Sequence, residues 1–341
     1  MRNRKRRGWL IGILVLIPVL WIGYWYAAQH IARAAIERIT TGEVAGGRIA
    51  CAGQSLGGFP LRLDFGCTRA AYGDGPQGTG EGLSAALGGL AASAPLYWPG
   101  YVEATLVSPF VVNAPALGIA VTTAWSDAST SATAGIGGLR SAAATLHSLD
   151  FSSAGSAALP VKTVTADLAE ATAAPAGSNA YRFSATAHDL KVVRADGREI
   201  PPIDGDAVIT ALDFGGSLGT DPAAALRAWA RAGAKAHVDR LRLATGNAIV
   251  NADGQLTLSP EGLLSGTLTI RLRNPDGLIA LAEAIKPGAS KDAGKILAVV
   301  TALTVPVDTP DGPARQTTLI IRNGLVAVGI LPVGVIPAIR F

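Results

Sequence analysis

From Gly8 to Ala28 the chain carries no charged side chain. As a helix rising about 1.5 Å per residue, this uncharged run reaches about 31 Å, the thickness of a bilayer's hydrocarbon core, so it is long enough to span one. Pro18 within it is tolerated in a membrane helix. Residues 29–40 keep helical spacing, with Ile31, Ala35 and Ile39 on one stripe and Arg33, Glu37 and Arg38 off it. This spacing predicts a stalk helix over 29–44.

Beyond the stalk the period shortens to two. Leu117, Ile119, Val121, Thr123 and Trp125 share one face, as do Tyr181, Phe183, Ala185 and Ala187, then Val208, Thr210, Leu212 and Phe214, and finally Leu268, Ile270 and Leu272. Such alternation predicts half-buried strands of antiparallel sheets with one covered face. One helix interrupts them, introduced by Asp221 as N-cap and Pro222 at its first position, with Leu226, Trp229 and Ala230 on one side. Two shorter helices are expected over 276–285 and 291–303. Asp253-Gly254 reads as a turn, and Asn323-Gly324 as the turn of a hairpin. The apolar tail from Ile330 to Phe341, broken by Pro332 and Pro337, is expected to run extended and to cover a sheet edge or core opening.

These elements predict an α+β fold, mainly antiparallel β, in which an N-terminal transmembrane helix leads into a large curved sheet with a few short helices. The expected divisions are a basic segment over 1–7, the anchor over 8–28, the stalk over 29–44, a first β-rich part over 45–216 and a second α+β part over 217–341.

Charge then sets the orientation. Arg2, Arg4, Lys5, Arg6 and Arg7 precede the apolar run, Trp9 stands at its start, and Trp21, Tyr24, Trp25 and Tyr26 stand at its exit. Basic residues keep that end in the cytoplasm, and aromatic residues favour the two interfaces. Arg4, Lys5, Arg6, Arg7, Trp9, Trp21 and Trp25 are therefore the expected anchor residues of a single-pass protein of the bacterial inner membrane, its bulk in the periplasm. The competing reading is a cleaved signal peptide ending at Ala32-Arg33-Ala34. The length of the run, its aromatic exit and the gap between Tyr26 and that site weigh against cleavage. The formal net charge is +4, and taking away the five cations before the anchor leaves −1. The rest of the chain thus has no basic surplus for nucleic acid. Hydrophobic content of 49% with 16% charged residues, 41 glycines and 7 phenylalanines implies sheets surfaced with Ala, Thr and Ser.

The two cysteines, Cys51 and Cys67, lie on the periplasmic side in this reading, where a pair is expected to be oxidised. Both follow the parity of apolar positions, Ile49 with Cys51 and Leu61, Leu63, Phe65 with Cys67, so a structural disulfide between two strands is expected. Redox catalysis favours Cys-x-x-Cys and a closed zinc site needs four ligands, and neither occurs. Gly53-Gln54-Ser55-Leu56-Gly57 matches a nucleophile-elbow string, but an alternating strand follows Ser55 where an elbow needs a helix. Gly215-Gly216-Ser217-Leu218-Gly219 has a strand before and a helix after, yet the acid and histidine of a triad lack a scaffold beside it. Gly73-Asp74-Gly75-Pro76-Gln77-Gly78 fits a phosphate-loop count, but Pro76 removes a donor and no βαβ unit surrounds it. His30, His147, His188 and His237 show no ligand spacing. No catalytic, cofactor-binding or metal-ligating residue is assigned, and the chain is read as non-enzymatic.

The anchor, the "GGFPLRLDFGC" block and the closing "NGLVAVGILPVGVIPAI" resemble the DUF2125 family of uncharacterised alphaproteobacterial envelope proteins. That resemblance implies an envelope location and assigns no activity. The anchor-plus-sheet plan and "GLLSGTLTIRL" are more loosely similar to AsmA-like envelope proteins, which implies lipid handling. Two functions are expected on these grounds. In the first, apolar strand faces bind or pass lipid in envelope maintenance. In the second, the inner face is a dry core and the domain scaffolds an envelope protein partner through its edges.

Overall fold

The computed structural model describes residues 2–41, 43–44, 47–73, 82–153, 159–177, 179–214, 222–309 and 312–339, without the side chains of 2–15, 35, 39, 41, 43, 44, 222 and 223. Two compact units are present, Met1–Ala120 and Val121–Phe341. Every strand pairing described is antiparallel, and helices are few, as the alternation predicts.

In the first unit, helix α1 runs unbroken over Arg2–Thr41, through Pro18 and through the expected end of the anchor. Among the described residues no helix is long and apolar enough to cross a membrane. The side chains of residues 8–15, part of the uncharged run, lie outside that description. The unit's strands are β1 (Glu43–Val44), β2 (Gly47–Ala52), β3 (Ser55–Gly57), β4 (Arg62–Cys67), β5 (Arg69–Gly73), β6 (Ser84–Pro95) and β7 (Tyr101–Ala114). β4 and β5 are two halves of one bent path along β6, broken at Thr68. β3 pairs with the first half and β2 with the second. The disulfide between Cys51 and Cys67, with Cα atoms 5.7 Å apart, ties the two paths together at the bend. Closing a loop of this size stabilises by about 3 kcal/mol in the chain-entropy account.

In the second unit the sheet is largely a meander. β8 (Ile119–Ala124) and β9 (Asp127–Gly135) both pair with β10 (Gly138–Ser152). The order then continues through β11 (Val161–Pro175), β12 (Ala180–Arg194), β13 (Glu199–Leu212), β14 (Ala234–Thr245), β15 (Ala248–Leu258) and β16 (Leu264–Arg273). β18 (Gly312–Arg322) pairs with β16, with β17 (Val305–Thr309) and with β19 (Leu325–Val328), and β20 (Leu331–Val335) follows β19. Helices α2 (Pro222–Arg231), α3 (Gly277–Ile285) and α4 (Ser290–Ala302) are inserted between strands. Strands on both sides of α2 hydrogen-bond directly, β13 to β14, so the chain is not divided near 216.

Local chemistry accounts for most boundaries. Asn323 and Gly324 both take positive φ, 48° and 82°, as the tight hairpin between β18 and β19 requires. Trp229 and Ala230 of α2 pack with Ala234, Leu258 and Leu264, and the Trp229 indole N–H donates to the Leu212 carbonyl at 2.7 Å. The tail is extended: β20 adds a strand beside β19, and the Ile339 amide donates to the Gly262 carbonyl at 2.9 Å.

Several expectations fail for identifiable reasons. Asp253-Gly254 is no turn, because β15 runs straight through it. A Cβ on Gly254 would lie 2.2 Å from the Thr267 carbonyl oxygen, so glycine serves close strand approach there. The covered face of β13 carries Ala211 rather than Leu212, which is exposed. Asp213 at φ 54° then reverses the parity, which brings Phe214 onto Tyr181, Phe183 and Trp229. Ala185 is exposed on β12 although its register with β11 and β13 is regular, the bulges of that strand lying beyond Ala187. Leu117 lies outside β8 in a short 3-10 turn and is exposed. Ile31 is 71% exposed, since the buried stripe of α1 runs through Trp25 and Gln29.

Candidate functional site

Leu268, Ile270 and Leu272 of β16 fall on one face of the second unit's sheet, opposite Leu319, Thr317 and Arg315 of β18. Across β15 the same face continues with Val250 and Ala252. The other face of these strands is polar. There the Arg271 guanidinium meets Asp253 and donates to Gln316 at 3.0 Å, Arg240 meets Asp206, and the Thr210 hydroxyl donates to Asp239 at 2.6 Å. The period of two thus separates an apolar floor from a charged ladder.

Helices α3 and α4 cover the floor. On α4, Ala293, Ile296, Leu297 and Val300 recur at helical spacing and face it, joined by Leu278 and Ile279 of α3 and by Val333 of β20. They enclose a groove of about 330 Å³ whose sole polar side chain is Thr317. This volume lies at the lower end of the roughly 300–1,000 Å³ of small-molecule sites. Leu272, Val300 and Val328 are buried beneath it, while Ile296, Val299 and Leu303 place an apolar stripe on the outer rim of α4.

The covering helix is held at both ends by charge. Ala289, at the N-cap of α4, has no capping side chain. The Glu283 carboxylate on α3 instead accepts from the amides of Gly288 and Ser290, both at 2.9 Å. These bonds, that from Gly288 first and that from Ser290 next, hold the Glu283 carboxyl below its ordinary value. At the other end Arg315 donates to the Thr304 hydroxyl at 2.6 Å and to the Thr301 carbonyl at 3.1 Å. An anion at the N-terminus and a cation at the C-terminus both complement the helix dipole.

The residues singled out in the sequence are scattered. Cys51 and Cys67 are brought together. Arg4, Lys5, Arg6, Arg7 and Trp9 lie on the backbone of α1, with side chains outside the described set. Trp21 and Trp25 are not free interfacial rings: their indole N–H groups donate to the carbonyls of Pro60 and Arg62 at 2.8 and 3.1 Å. Ser55 sits in β3 with a strand, not a helix, after it. Gly215–Gly219, Asp221 and most of the Gly73–Gly78 string fall outside the described residues. His188 pairs with Asp204 at 3.5 Å and His237 with Asp239 at 3.0 Å. Among the described residues, no three His, Cys, Asp or Glu side chains are grouped to hold a metal. No single motif could have flagged the groove, because its lining is spread from Ile270 to Val333; the sequence signalled the alternation in β16 and the two helices one by one, but not their meeting.

Antiparallel sheets, a long N-terminal helix and a disulfide define a β-rich protein of the α+β class. The profile of DUF2125, a family described as uncharacterised proteins conserved in bacteria, matches residues 25–337, and the chain belongs to that family. Comparison with curated proteins and with solved structures gave no match.

Proposed function

We propose that this is a non-enzymatic protein of the bacterial envelope, held in the inner membrane by α1 with its N-terminus in the cytoplasm, and that it binds the acyl chain of a lipid in the α3–α4 groove. The observation that carries the reading is the lining of that groove, aliphatic but for Thr317 and partly open along Ile296. An apolar chain entering it gains roughly 25 cal/mol for each Å² of apolar surface removed from water, and the residues lining the groove carry no charge to desolvate. The length of the uncharged run from Gly8 to Ala28 and the basic residues before it support the anchor.

The full chain, purified in mild detergent, is titrated with a dansyl-labelled fatty acid, and Ala293→Trp is used to fill the groove. Binding at one site, abolished by Ala293→Trp in a variant that keeps its far-ultraviolet dichroism, is the expected result. Binding that survives the filled groove, or no binding by the wild type, overturns the reading and favours the scaffold role.

A further inference from the structure

The first unit carries two loops beside α1 that belong, by composition and by hydrogen bonding, in a bilayer. One is Gly58-Phe59-Pro60-Leu61 between β3 and β4. The other is Leu96-Tyr97-Trp98-Pro99-Gly100 between β6 and β7. Neither contains a charge. Phe59, Leu61, Tyr97 and Trp98 are 56%, 56%, 70% and 55% exposed, a cost in water that a folded domain ordinarily avoids in so compact a patch.

Both loops lie against α1. Leu96 and Tyr97 line a surface hollow with Ile17, Leu20, Trp21 and Tyr24. Phe59 meets the Trp25 ring edge to face, with centroids 5.1 Å apart. Among the described side chains the contacts start at Ile17, and Gly8–Leu16 of the uncharged run precede it. Those nine residues rise about 14 Å, less than half of the roughly 30 Å hydrocarbon core. If α1 spans the membrane, the loops beside Ile17–Trp25 cannot remain outside it.

From this geometry we infer that the two loops form a collar inserted into the outer leaflet of the membrane that α1 crosses; the inference rests on the anchor reading above. Irregular backbone is tolerated at such depth only where its polar groups are satisfied within the protein. Several of the collar's backbone groups meet that condition. The Pro60 and Arg62 carbonyls accept from the indoles of Trp21 and Trp25. The Leu61 carbonyl accepts from the Leu96 amide at 2.9 Å and the Gly58 carbonyl from the Arg62 amide at 3.1 Å, while the Trp98 amide donates to the Pro95 carbonyl at 3.2 Å. Pro60 and Pro99 have no N–H to satisfy. At the edge of the collar Arg62 pairs with Asp64 at 3.0 Å, and its long stem allows the guanidinium to reach the headgroups. The collar would fix how the first unit stands on the bilayer, which one helix alone leaves free to rotate.

The test uses the full chain in vesicles of phosphatidylethanolamine and phosphatidylglycerol, with a nitroxide attached in turn at Leu20→Cys, Leu61→Cys, Tyr97→Cys and Leu117→Cys. Accessibility to oxygen, which partitions into lipid, is compared with accessibility to a water-soluble nickel chelate. Leu117 lies past the other end of β7, about 45 Å along the strand, and is expected in water. Labels at Leu20, Leu61 and Tyr97 are expected to lose nickel accessibility together. A lipid-buried Leu20 with Leu61 and Tyr97 in water overturns the collar and leaves the anchor standing. A water-exposed Leu20 overturns the anchor, and the collar with it.

Discussion

The two units expose apolar surface in different ways. In the first, Phe59, Leu61, Tyr97 and Trp98 project from loops, and two carbonyls at the first of these loops accept from indoles of α1. In the second, Ile270, Leu272 and Leu319 belong to a sheet face, and a helix hairpin pinned at Glu283 and Arg315 covers them. An apolar sheet face comes with its hydrogen bonds already made by neighbouring strands, so covering it needs only another apolar layer. A loop has no ladder, so its exposure to an apolar medium is possible only where side chains supply the missing partners. The same need, hiding apolar groups from water, is thus met by enclosure in one unit and, on our proposal, by the bilayer in the other.

Three substitutions or titrations sharpen this contrast. The largest effect is expected at Leu272, buried on the groove floor. Leu272→Ala should cost about 2–5 kcal/mol through lost burial and the cavity left behind, read as faster amide exchange across β15, β16 and β18 with the first unit unaffected. Equal loosening in both units would show that the floor is not a separate core.

Trp25→Phe should cost about 1–3 kcal/mol, because the ring contact to Phe59 is largely kept while the Arg62 carbonyl loses its indole donor. In vesicles the loss should be greater than in detergent micelles, where water reaches the loop. Stability that does not change in either medium would mean that the indole bond contributes nothing to the collar.

The smallest effect is the acid titration of Glu283. Its folded-state carboxyl titrates below the ordinary glutamate range, so the stabilisation it gives the α3–α4 hairpin is present at neutral pH. That stabilisation is lost as pH falls through the depressed folded value. The amide resonances of Gly288 and Ser290 should therefore shift together with a midpoint below that of an exposed glutamate. A midpoint at or above the ordinary value would remove the cap from the account of how α4 is held.

Much of the secondary structure was legible because it depends on neighbours in sequence. The helices near 276–285 and 291–303, the Asn323-Gly324 hairpin and the alternation of Leu268, Ile270 and Leu272 needed only local spacing and turn chemistry. Faces were less legible. A single residue at positive φ, Asp213, moved Phe214 from one side to the other. Asp253-Gly254 has the composition of a turn, and only the approach of Thr267 reveals why glycine stands there. Of the candidate sites, the cysteine pair could be read from parity, number and the expected compartment, whereas the groove could not.

By itself the sequence determined an uncharged N-terminal run flanked by cations, an even pair of cysteines at matching parity, a β-rich antiparallel body and its family resemblance. The tertiary structure decided which apolar positions face one another. It set Trp21 and Trp25 against the 58–62 loop, closed α3 and α4 over β16 and β18, and placed Glu283 at the start of α4, whose first residue is Ser290. Hydrophobic periodicity says that a side chain seeks an apolar neighbour and is silent on which one, because burial is non-directional. Strand register, backbone parity and the hydrogen bonds of loops supply the direction.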